Sequence, residues 1–384
     1  MNYIPLGELV DIKGGGTPNR KIDEYWGGDI PWATVKDFKS TELSTTQERI
    51  TELGVSKSAT NVIRKGTIVV PTRMAVGKAA ITKIDMAINQ DLKALLVKDK
   101  NKVDTQYLLR FLLAKSSVLE SMGKGATVKG ITLDVLRSLE IPLPPLAEQK
   151  RIAAILDKAD AIRRKRQQAI QLADQFLRAV FLDMFGDPVT NPKGWDEIVL
   201  GDVIEFAKDG PHVSPKYSEH GIPFLSTRHV KPTGVVWEDL KFITPDEADI
   251  HWKKCKPSFG DILYTKGGTT GIACPVDFEK DFAVWVHVAL LRPIHTKVNF
   301  IWLSNMLNSK YCYLQSQKHT RGATNKDLGL TRMVDIKMYY PPLELQNKFV
   351  DVICKLKSIS SIAEKSSNET LFESFSQKAF AGKL

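Results

Sequence analysis

The amino-acid sequence of 384 residues repeats itself once, and no other feature restricts its possible folds as strongly. Matching segments follow the same order in both halves, 194 to 197 residues apart (201 − 7 and 322 − 125): Leu6-Gly7 with Leu200-Gly201, Gly77 with Gly271, Gly125-Ala126-Thr127 with Gly322-Ala323-Thr324, and Pro144-Pro145-Leu146 with Pro341-Pro342-Leu343. An ordered series of matches at nearly constant spacing indicates a tandem duplication. Each half must therefore form the same kind of structural unit.

Each half begins with about 140 residues in which short apolar runs are separated by Gly and Pro. The β-branched and aromatic runs predict strands at residues 68–74, 79–84 and 94–98, and again at 261–266 and 288–294. Helical spacing of apolar residues then predicts one short helix per half, at 105–115 and 299–309. In each half, the short helix is followed by a Gly-rich basic loop and then by a strand that ends at two prolines. This plan indicates a mixed α/β domain in each half.

A long segment without helix breakers, residues 146–185, follows the first of these domains. Apolar residues recur in it every three or four positions from Ile152 to Met184, with a basic interruption at 163–166. Their mean spacing is close to the period of about 3.5 that keeps one seam facing a partner helix. A helix of this length spans roughly 60 Å. The alternative is an ordinary amphipathic helix on a local core, but the length favours a strut.

A second helix is predicted at 343–379, although serines weaken its middle. Two helices of matched periodicity are expected to pack on each other. The predicted segments are 1–145 (first domain), 146–186 (central helix), 187–342 (second domain) and 343–384 (C-terminal helix).

The chain is basic, with a formal net charge of +10 and a pI near 9.2. This excess of positive charge favours an anionic partner, and it favours nucleic acid over a membrane. The N-terminus lacks the apolar core of a signal peptide and no apolar run approaches 18 residues, so we expect a cytoplasmic protein. Four cysteines without C-x-x-C spacing and seven scattered histidines indicate neither a disulfide framework nor a metal site.

The order of short motifs resembles the DNA-specificity (S) subunit of type I restriction–modification systems. The residues that carry the resemblance in the first half are Leu6-Gly7-Glu8-Leu9-Val10, Gly14-Gly15-Gly16-Thr17-Pro18, Gly28-Asp29-Ile30-Pro31-Trp32, Gly66-Thr67-Ile68, Asn89-Gln90-Asp91, Gly125-Ala126-Thr127 and 141–149. Those in the second half are Asp209-Gly210-Pro211-His212, 221–225 and 340–346. The second half departs from the family pattern only where Leu345 separates Glu344 from Gln346.

The resemblance implies an α+β fold, in which a mixed α/β target-recognition domain followed by a long helix is duplicated and the two helices form an antiparallel coiled coil. It also implies a non-catalytic subunit that reads a bipartite, asymmetric target in double-stranded DNA. The expected partners are two methyltransferase (modification) subunits and the restriction/translocase subunits, with no membrane. We expect no cofactor on this chain; S-adenosylmethionine, ATP and Mg would belong to the partner subunits.

Catalytic motifs were sought in the sequence without success. The residues flanking Pro144-Pro145 and Pro341-Pro342 are not those of an adenine methyltransferase, and no G-x-x-x-x-G-K-[ST] motif is complete. A stand-alone enzyme acting on nucleic acid would need a site that no motif reveals. An adaptor that binds only proteins would explain the helices but not two domains with basic loops.

Base reading requires Arg, Lys, Asn or Gln on loops or helix ends, with apolar contact to thymine methyl groups. The DNA-binding candidates near the glycine landmarks of the first half are Thr72, Arg73, Lys78, Lys124, Thr127 and Lys129. Those of the second half are Thr227, Arg228, His229, Lys266, Thr269, Thr270, Lys318, Arg321, Asn325 and Lys326. For each of these residues, a solvated surface role is the alternative.

Overall fold

The computed structural model describes residues 2–123, 130–322, 326–364 and 378–380. The chain divides into two units. The first unit contains Met1–Gln168 and Ala363–Leu384, and the second contains Ala169–Ile362. The fold is α+β, as the sequence predicts.

The first unit contains a five-stranded sheet of order β2-β10-β7-β8-β4, a four-stranded sheet of order β5-β3-β9-β6 and the pair β1-β11. Its strands are β1 (Tyr3–Pro5), β2 (Val10–Gly14), β3 (Trp26–Ala33), β4 (Glu42–Leu43), β5 (Glu48–Ile50), β6 (Asn61–Ile63), β7 (Ile68–Pro71), β8 (Ala80–Thr82), β9 (Met86–Ile88), β10 (Leu92–Val97) and β11 (Glu140–Pro142). Its helices are α1 (Leu6–Leu9), α2 (Glu52–Ser56), α3 (Thr105–Ala114), α4 (Ser116–Met122), α5 (Leu133–Arg137) and the start of α6 (Leu146–Phe185).

The second unit contains sheets of order β13-β22-β19-β20 and β14-β18-β15-β21, with the pairs β12-β23 and β16-β17. Its strands are β12 (Asp196–Val199), β13 (Ile204–Asp209), β14 (Tyr217–Ser218), β15 (Ile222–Leu225), β16 (Val230–Lys231), β17 (Gly234–Val235), β18 (Lys241–Ile243), β19 (Ile262–Thr265), β20 (Ala273–Pro275), β21 (Ala283–Val284), β22 (Val288–Pro293) and β23 (Lys337–Tyr340). Its helices are the end of α6, α7 (Pro245–Trp252), α8 (Phe300–Leu307), α9 (Lys310–His319), α10 (Leu330–Val334) and α11 (Leu343–Glu364).

The two units share the pairing of several equivalent strands. The sheet that contains β3 in the first unit and the sheet that contains β15 in the second each have one parallel pair among antiparallel ones: Trp32 is opposite Ala87, and Phe224 is opposite Ala283. The first strand of each unit pairs with the strand before the double proline, as β1 with β11 and β12 with β23. These equivalent pairings agree with the duplication found in the sequence.

The predicted strands and short helices are present, but the sequence analysis missed a second helix in each unit. The helices α4 and α9 follow α3 and α8 directly, at the point in each half where the sequence predicts a Gly-rich loop. Lys115 and Ser309 lie at the junctions, and Ser309 caps α9 by accepting a hydrogen bond from the Cys312 backbone N–H. The polar, short second helices carry too weak an apolar pattern for sequence periodicity to identify them.

The helix α6 has one end in the core of each unit. Near its start, Ile152 and Leu156 are buried in the core of the first unit. Near its end, Phe181 and Phe185 are buried in the core of the second unit, with the Phe185 ring 5.9 Å from that of Trp302. Burial of large apolar side chains at both ends, at about 1.5–3 kcal/mol each, explains why this segment is a single helix.

The apolar stripe predicted along α6 is exposed in its middle. Ile162 and Phe176 are 52% and 50% exposed. The second predicted helix is described over Leu343–Glu364 and again at 378–380, whereas 365–377 lie outside the described residues. None of the helices in the described part of the chain has the length and apolar character needed to cross a membrane.

A fully buried glutamine joins each long helix to the domain that precedes it. Gln149 Oε1 accepts a hydrogen bond of 2.9 Å from the Asp104 backbone N–H, and its Nε2 donates to the carbonyls of Lys102 and Pro144. Gln346 forms the equivalent joint in the second unit, where its Oε1 accepts a hydrogen bond of 3.0 Å from the Asn299 backbone N–H. Asp104 and Asn299 are the N-caps of α3 and α8.

Leu345, which stands where the first half has Glu148, therefore leaves this joint unchanged. Gln346 is fully buried, and its Nε2 donates to the Pro341 carbonyl at 2.8 Å, as Gln149 Nε2 does to Pro144. A buried amide that satisfies several backbone groups at once fixes the angle at which a helix leaves its domain.

Replacing Gln149 with Ala should destabilise the first unit by about 3 kcal/mol, because three buried backbone groups lose their partner. Urea unfolding followed by tryptophan fluorescence measures the change. Gln168→Ala, on the exposed surface of the same helix, is the matched control and should leave the midpoint nearly unchanged. Equal midpoints for the two variants would show that the joint contributes little.

Candidate nucleic-acid interface

The loop after β7 carries the first group of candidates and is held by backbone hydrogen bonds. Thr72 is buried; its N–H donates to the Asp91 carbonyl at 2.8 Å, and its own carbonyl accepts from the Ile131 N–H at 2.9 Å. Arg73 is exposed and forms a β-bridge with Gly130. Thr72 therefore fixes the loop, while Arg73 is available to an external partner.

Lys78 ends the same loop and is exposed, with its Nζ 3.3 Å from the Phe38 carbonyl. Gly77 before it has a φ of 91° and packs so closely on Ser116 of α4 that a Cβ would lie 2.7 Å from the Ser116 oxygens. Only glycine fits there without strain. The candidates Lys124, Thr127 and Lys129 lie outside the described residues.

The loop after β19 is the equivalent of this loop in the second unit. The Lys266 N–H donates to the His287 carbonyl at 2.8 Å, and the Lys266 carbonyl accepts from the Leu328 N–H at 2.7 Å, the same two bonds that Thr72 makes. Gly267 forms a β-bridge with Asp327. The backbone of the loop is therefore conserved between the units, while Lys replaces Thr at its first position.

Lys266 is buried and belongs to a network of charges that sequence reasoning missed. Its Nζ lies 3.0 Å from Asp327 and 3.4 Å from Asp209, and Lys254 approaches Asp209 at 2.5 Å. Burial on its own would raise the pKa of Asp209. The hydrogen bond and charge of Lys254, followed by the charge of Lys266, outweigh that effect, and the pKa lies below its ordinary value.

The remaining candidates of this region lie on two chain segments that the fold brings together. Gly268 donates its N–H to the Lys326 carbonyl at 3.0 Å. Thr270 is buried; its hydroxyl lies 3.0 Å from that of Thr320, and its carbonyl accepts from the Gln317 side chain. The candidates with exposed side chains are Thr269, Lys318, Arg321 and Lys326; Asn325 lies outside the described residues.

Thr227, Arg228 and His229 lie on a separate turn between β15 and β16. His229 is buried, and its Nδ1 accepts a hydrogen bond of 2.9 Å from the Ser226 N–H. Burial, and then the charge of Arg228, lower the pKa of His229, so the ring is neutral near pH 7. Arg228 is exposed and donates to the Asp239 carbonyl. Thr227 is half-buried.

The structure therefore divides the candidates into two groups by burial. The side chains of Thr72, His229, Lys266 and Thr270 are interior, where they hold loops in place, although the sequence analysis treated them as surface contacts. The sequence gives no signal of this burial because each residue is polar and adjacent to an exposed loop. Among the described residues, no cluster of three or more His, Cys, Asp or Glu side chains could hold a metal ion.

Each of the two domains carries an equivalent basic loop that contains glycine. Comparison with known proteins identifies the class of protein that has these features. A family model described as "Type I restriction modification DNA specificity domain" matches residues 1–172 and 192–371. The chain belongs to this family and is a specificity subunit of a type I restriction–modification system.

Individual relatives agree with this assignment. The chain is 27% identical over 378 residues to the type I restriction enzyme MjaIX specificity subunit of Methanocaldococcus jannaschii, covering 91% of this chain and 84% of the relative. It is 34% identical over 169 residues to the EcoR124I/EcoR124II specificity subunit of Escherichia coli, 42% of this chain and 41% of that one. Its fold is similar to that of the S subunit from M. genitalium, with a TM-score of 0.65, 16% identity, and coverage of 99% and 96% of the two chains.

The ion network makes a prediction about stability and pH. Asp209→Asn leaves Lys266 and Lys254 without their shared carboxylate and should cost about 3 kcal/mol at pH 7. The folded pKa of Asp209 is depressed, so its contribution is complete above the unfolded pKa near 4 and disappears as the pH falls through the folded value. The unfolding free energy of the variant should therefore depend less on pH below 4.

Urea unfolding at pH 7 and at several values between pH 4 and pH 2.5 tests this expectation. Asp249→Asn, an exposed position on α7, is the matched control and should follow the unaltered protein. A variant as stable as the control at pH 7, with the same acid dependence, would show that the network is not a stabilising feature.

Proposed function

We propose that the protein is the non-catalytic reader of a bipartite, asymmetric target in double-stranded DNA. The observation that carries this proposal is the pair of equivalent loops, after β7 and after β19, held by the same backbone hydrogen bonds. Each unit presents exposed basic residues on or beside these loops: Arg73 and Lys78 on the loop after β7, and Arg321 and Lys326 on the segment that pairs with the loop after β19. Basic side chains on fixed loops suit phosphate contact, and arginine also suits guanine.

Equivalent loops carry different side chains in the two units, and we therefore expect the two units to read different half-sites of the DNA target. The first unit has Thr72 and Gly130 where the second has Lys266 and Asp327. A shared loop geometry with different side chains would place each unit similarly on the duplex but select different bases. The direct-contact candidates are the exposed residues Arg73, Lys78, Arg228, Thr269, Lys318, Arg321 and Lys326, together with Lys124, Thr127, Lys129 and Asn325. Thr72, His229, Lys266 and Thr270 would act by positioning loops, and Thr227 remains a candidate.

The two long helices are proposed to form an antiparallel coiled coil that separates the readers. Contacts within each unit support opposite directions. In the second unit the end of α6 meets the start of α11, with the Phe181 and Phe349 rings 5.5 Å apart. In the first unit, which contains the start of α6, Phe380 near the C-terminus packs 5.2 Å from Phe111. The proposed segments remain 1–145, 146–186, 187–342 and 343–384.

The catalytic reactions would take place on other subunits. Two methyltransferase subunits and the restriction/translocase subunits would dock on this protein in the cytoplasm, and S-adenosylmethionine, ATP and Mg would bind to them. This chain would select the sequence on which they act. The proposal therefore predicts DNA selection without any methyl transfer by the isolated chain.

Selection from a pool of random duplexes tests the proposal, with the full chain alone and with its methyltransferase subunits. Sequencing of the bound duplexes should yield two short unlike sequences at a fixed separation. A pool without sequence enrichment under both conditions would contradict a reading function. Methyl transfer by the chain alone would contradict the non-catalytic assignment.

Exchange of residues 1–140 for the equivalent segment of another family member should change one half-site and leave the other intact. The reason is that each unit has its own core and its own loop. Sequencing of selected duplexes is the measurement, and the reciprocal exchange of residues 200–337 is the control, which should change the other half-site. A change of both half-sites by either exchange would contradict independent readers.

Deletion of a matched heptad from both helices should shorten the gap between half-sites by about three base pairs. Seven residues contribute roughly 10.5 Å at 1.5 Å each, and base pairs stack at about 3.4 Å. Residues 165–171 of α6 are one choice, with a heptad from the predicted second helix at 343–379. Both half-site sequences should stay the same. An unchanged gap in a folded variant that binds DNA would show that the helices do not set the distance.

A further inference from the structure

Met74, in the loop after β7, combines a strained backbone with a highly exposed apolar side chain. Its φ is 68°, and the Ala75 N–H donates to the Arg73 carbonyl at 2.9 Å, which closes a γ-turn around it. The γ-turn with positive φ is rare and strained. The Met74 side chain is 70% exposed. Within the described part of the chain, the other non-glycine residues with positive φ are Asn191 and Asp239, types that tolerate this conformation.

The surrounding structure imposes this conformation on Met74. Thr72 before it is held to the Asp91 carbonyl by both its N–H and its hydroxyl. Val76 after it is 5% exposed, and Gly77 packs against Ser116 of α4. With both sides fixed, the turn projects the Met74 side chain away from the domain. Strain that the surrounding structure maintains is typical of functional positions.

The second unit shows what the backbone alone requires at this point. Gly268, 194 residues after Met74 (268 − 74), has a φ of 69°. The positive φ at this position is therefore common to both units, and glycine satisfies it without strain. The backbone conformation does not require methionine at this position of the first unit. What methionine adds is its exposed thioether side chain.

The surroundings of Met74 favour a nucleic-acid partner over a protein partner. Arg73 and Lys78 on the same loop are exposed. Arg73 also forms a β-bridge with Gly130. A single apolar side chain among cations is unsuited to an apolar protein surface but suited to a duplex, whose phosphates attract the cations.

We propose that Met74 is a specificity-determining residue of the first unit that contacts the 5-methyl group of a thymine in the major groove. This inference rests on the proposed DNA-reading function. The thioether side chain offers no hydrogen-bond donor, and the thymine methyl is the apolar group that base edges present in that groove. A flexible, polarizable methionine adapts its shape to such a contact. The equivalent Gly268 makes no such contact, which adds to the difference between the half-sites.

The test uses the full chain and a duplex selected from the random pool, with deoxyuridine replacing thymidine at each thymine of the first half-site in turn. Deoxyuridine removes only the methyl group. At one position the unaltered protein should lose affinity roughly four-fold, the ratio expected for one buried methyl-sized group. Met74→Gly should bind the thymidine and deoxyuridine duplexes equally, and Met74→Leu should keep the preference for thymidine.

Stability separates reading from a structural role. Met74→Gly relieves the strained φ, so its melting temperature should equal or exceed that of the unaltered protein while thymine selectivity is lost. Leu53→Gly, at an exposed residue of α2, is the control, and it should lower the melting temperature without changing the selected sequence. A marked fall in the melting temperature of Met74→Gly would contradict the strain argument.

Two other outcomes distinguish this inference from the function on which it rests. If no sequence is enriched from the pool by the unaltered protein, the proposed reading function fails. If a target is enriched but Met74→Gly selects the same first half-site, or no thymine there is sensitive to loss of its methyl group, the reading function stands and the role of Met74 is overturned.

Discussion

The buried glutamine at the start of each long helix is the interaction on which the arrangement of each unit depends. Gln149 and Gln346 are inaccessible to solvent, and each uses both ends of its amide to join the N-cap of a preceding helix to a proline carbonyl. A side-chain amide can satisfy a donor and an acceptor at the same time, which no apolar residue can do. The direction in which each helix starts is therefore fixed relative to the sheets of the unit that it leaves.

Duplication preserves the backbone of the loops more strictly than their charges. Gly77 and Gly271 have φ values of 91° and 88°, and they pack against Ser116 of α4 and Ser316 of α9, respectively. The side chains that lock the loops differ, because the network of Asp209, Lys266 and Asp327 in the second unit has no charged counterpart at Gly14, Thr72 and Gly130. The loop is held by uncharged contacts in one unit and by buried ion pairs in the other, so the two loops share backbone hydrogen bonds but differ in their electrostatic surface.

Regular spacing and motif order made much of this architecture predictable from the sequence. The duplication, the α+β class, the strands β7, β8, β10, β19 and β22 and the helix at 146–185 follow from patterns in the sequence. The helices α4 and α9 were not predicted because neither has a clear apolar stripe. Burial of Lys266 and His229 was not predicted either, since it depends on Asp209, Asp327 and Ser226, contacts set by tertiary structure. The φ of Met74 is likewise imposed by its neighbours in space, not by its own preference.

The enclosed and the exposed positions of these loops differ in what a substitution would change. Positions that determine the loop backbone, such as Gly77 and Thr72, are enclosed by neighbouring elements, so most substitutions there would change the shape of the loop. Positions such as Arg73 and Met74 point outward, and substitution there alters the surface without removing a contact of the core. A rigid frame around an exposed position lowers the entropy lost on binding, because the side chain is already presented to its partner. Strain at Met74 is then the cost of keeping a side chain where the second unit keeps only glycine.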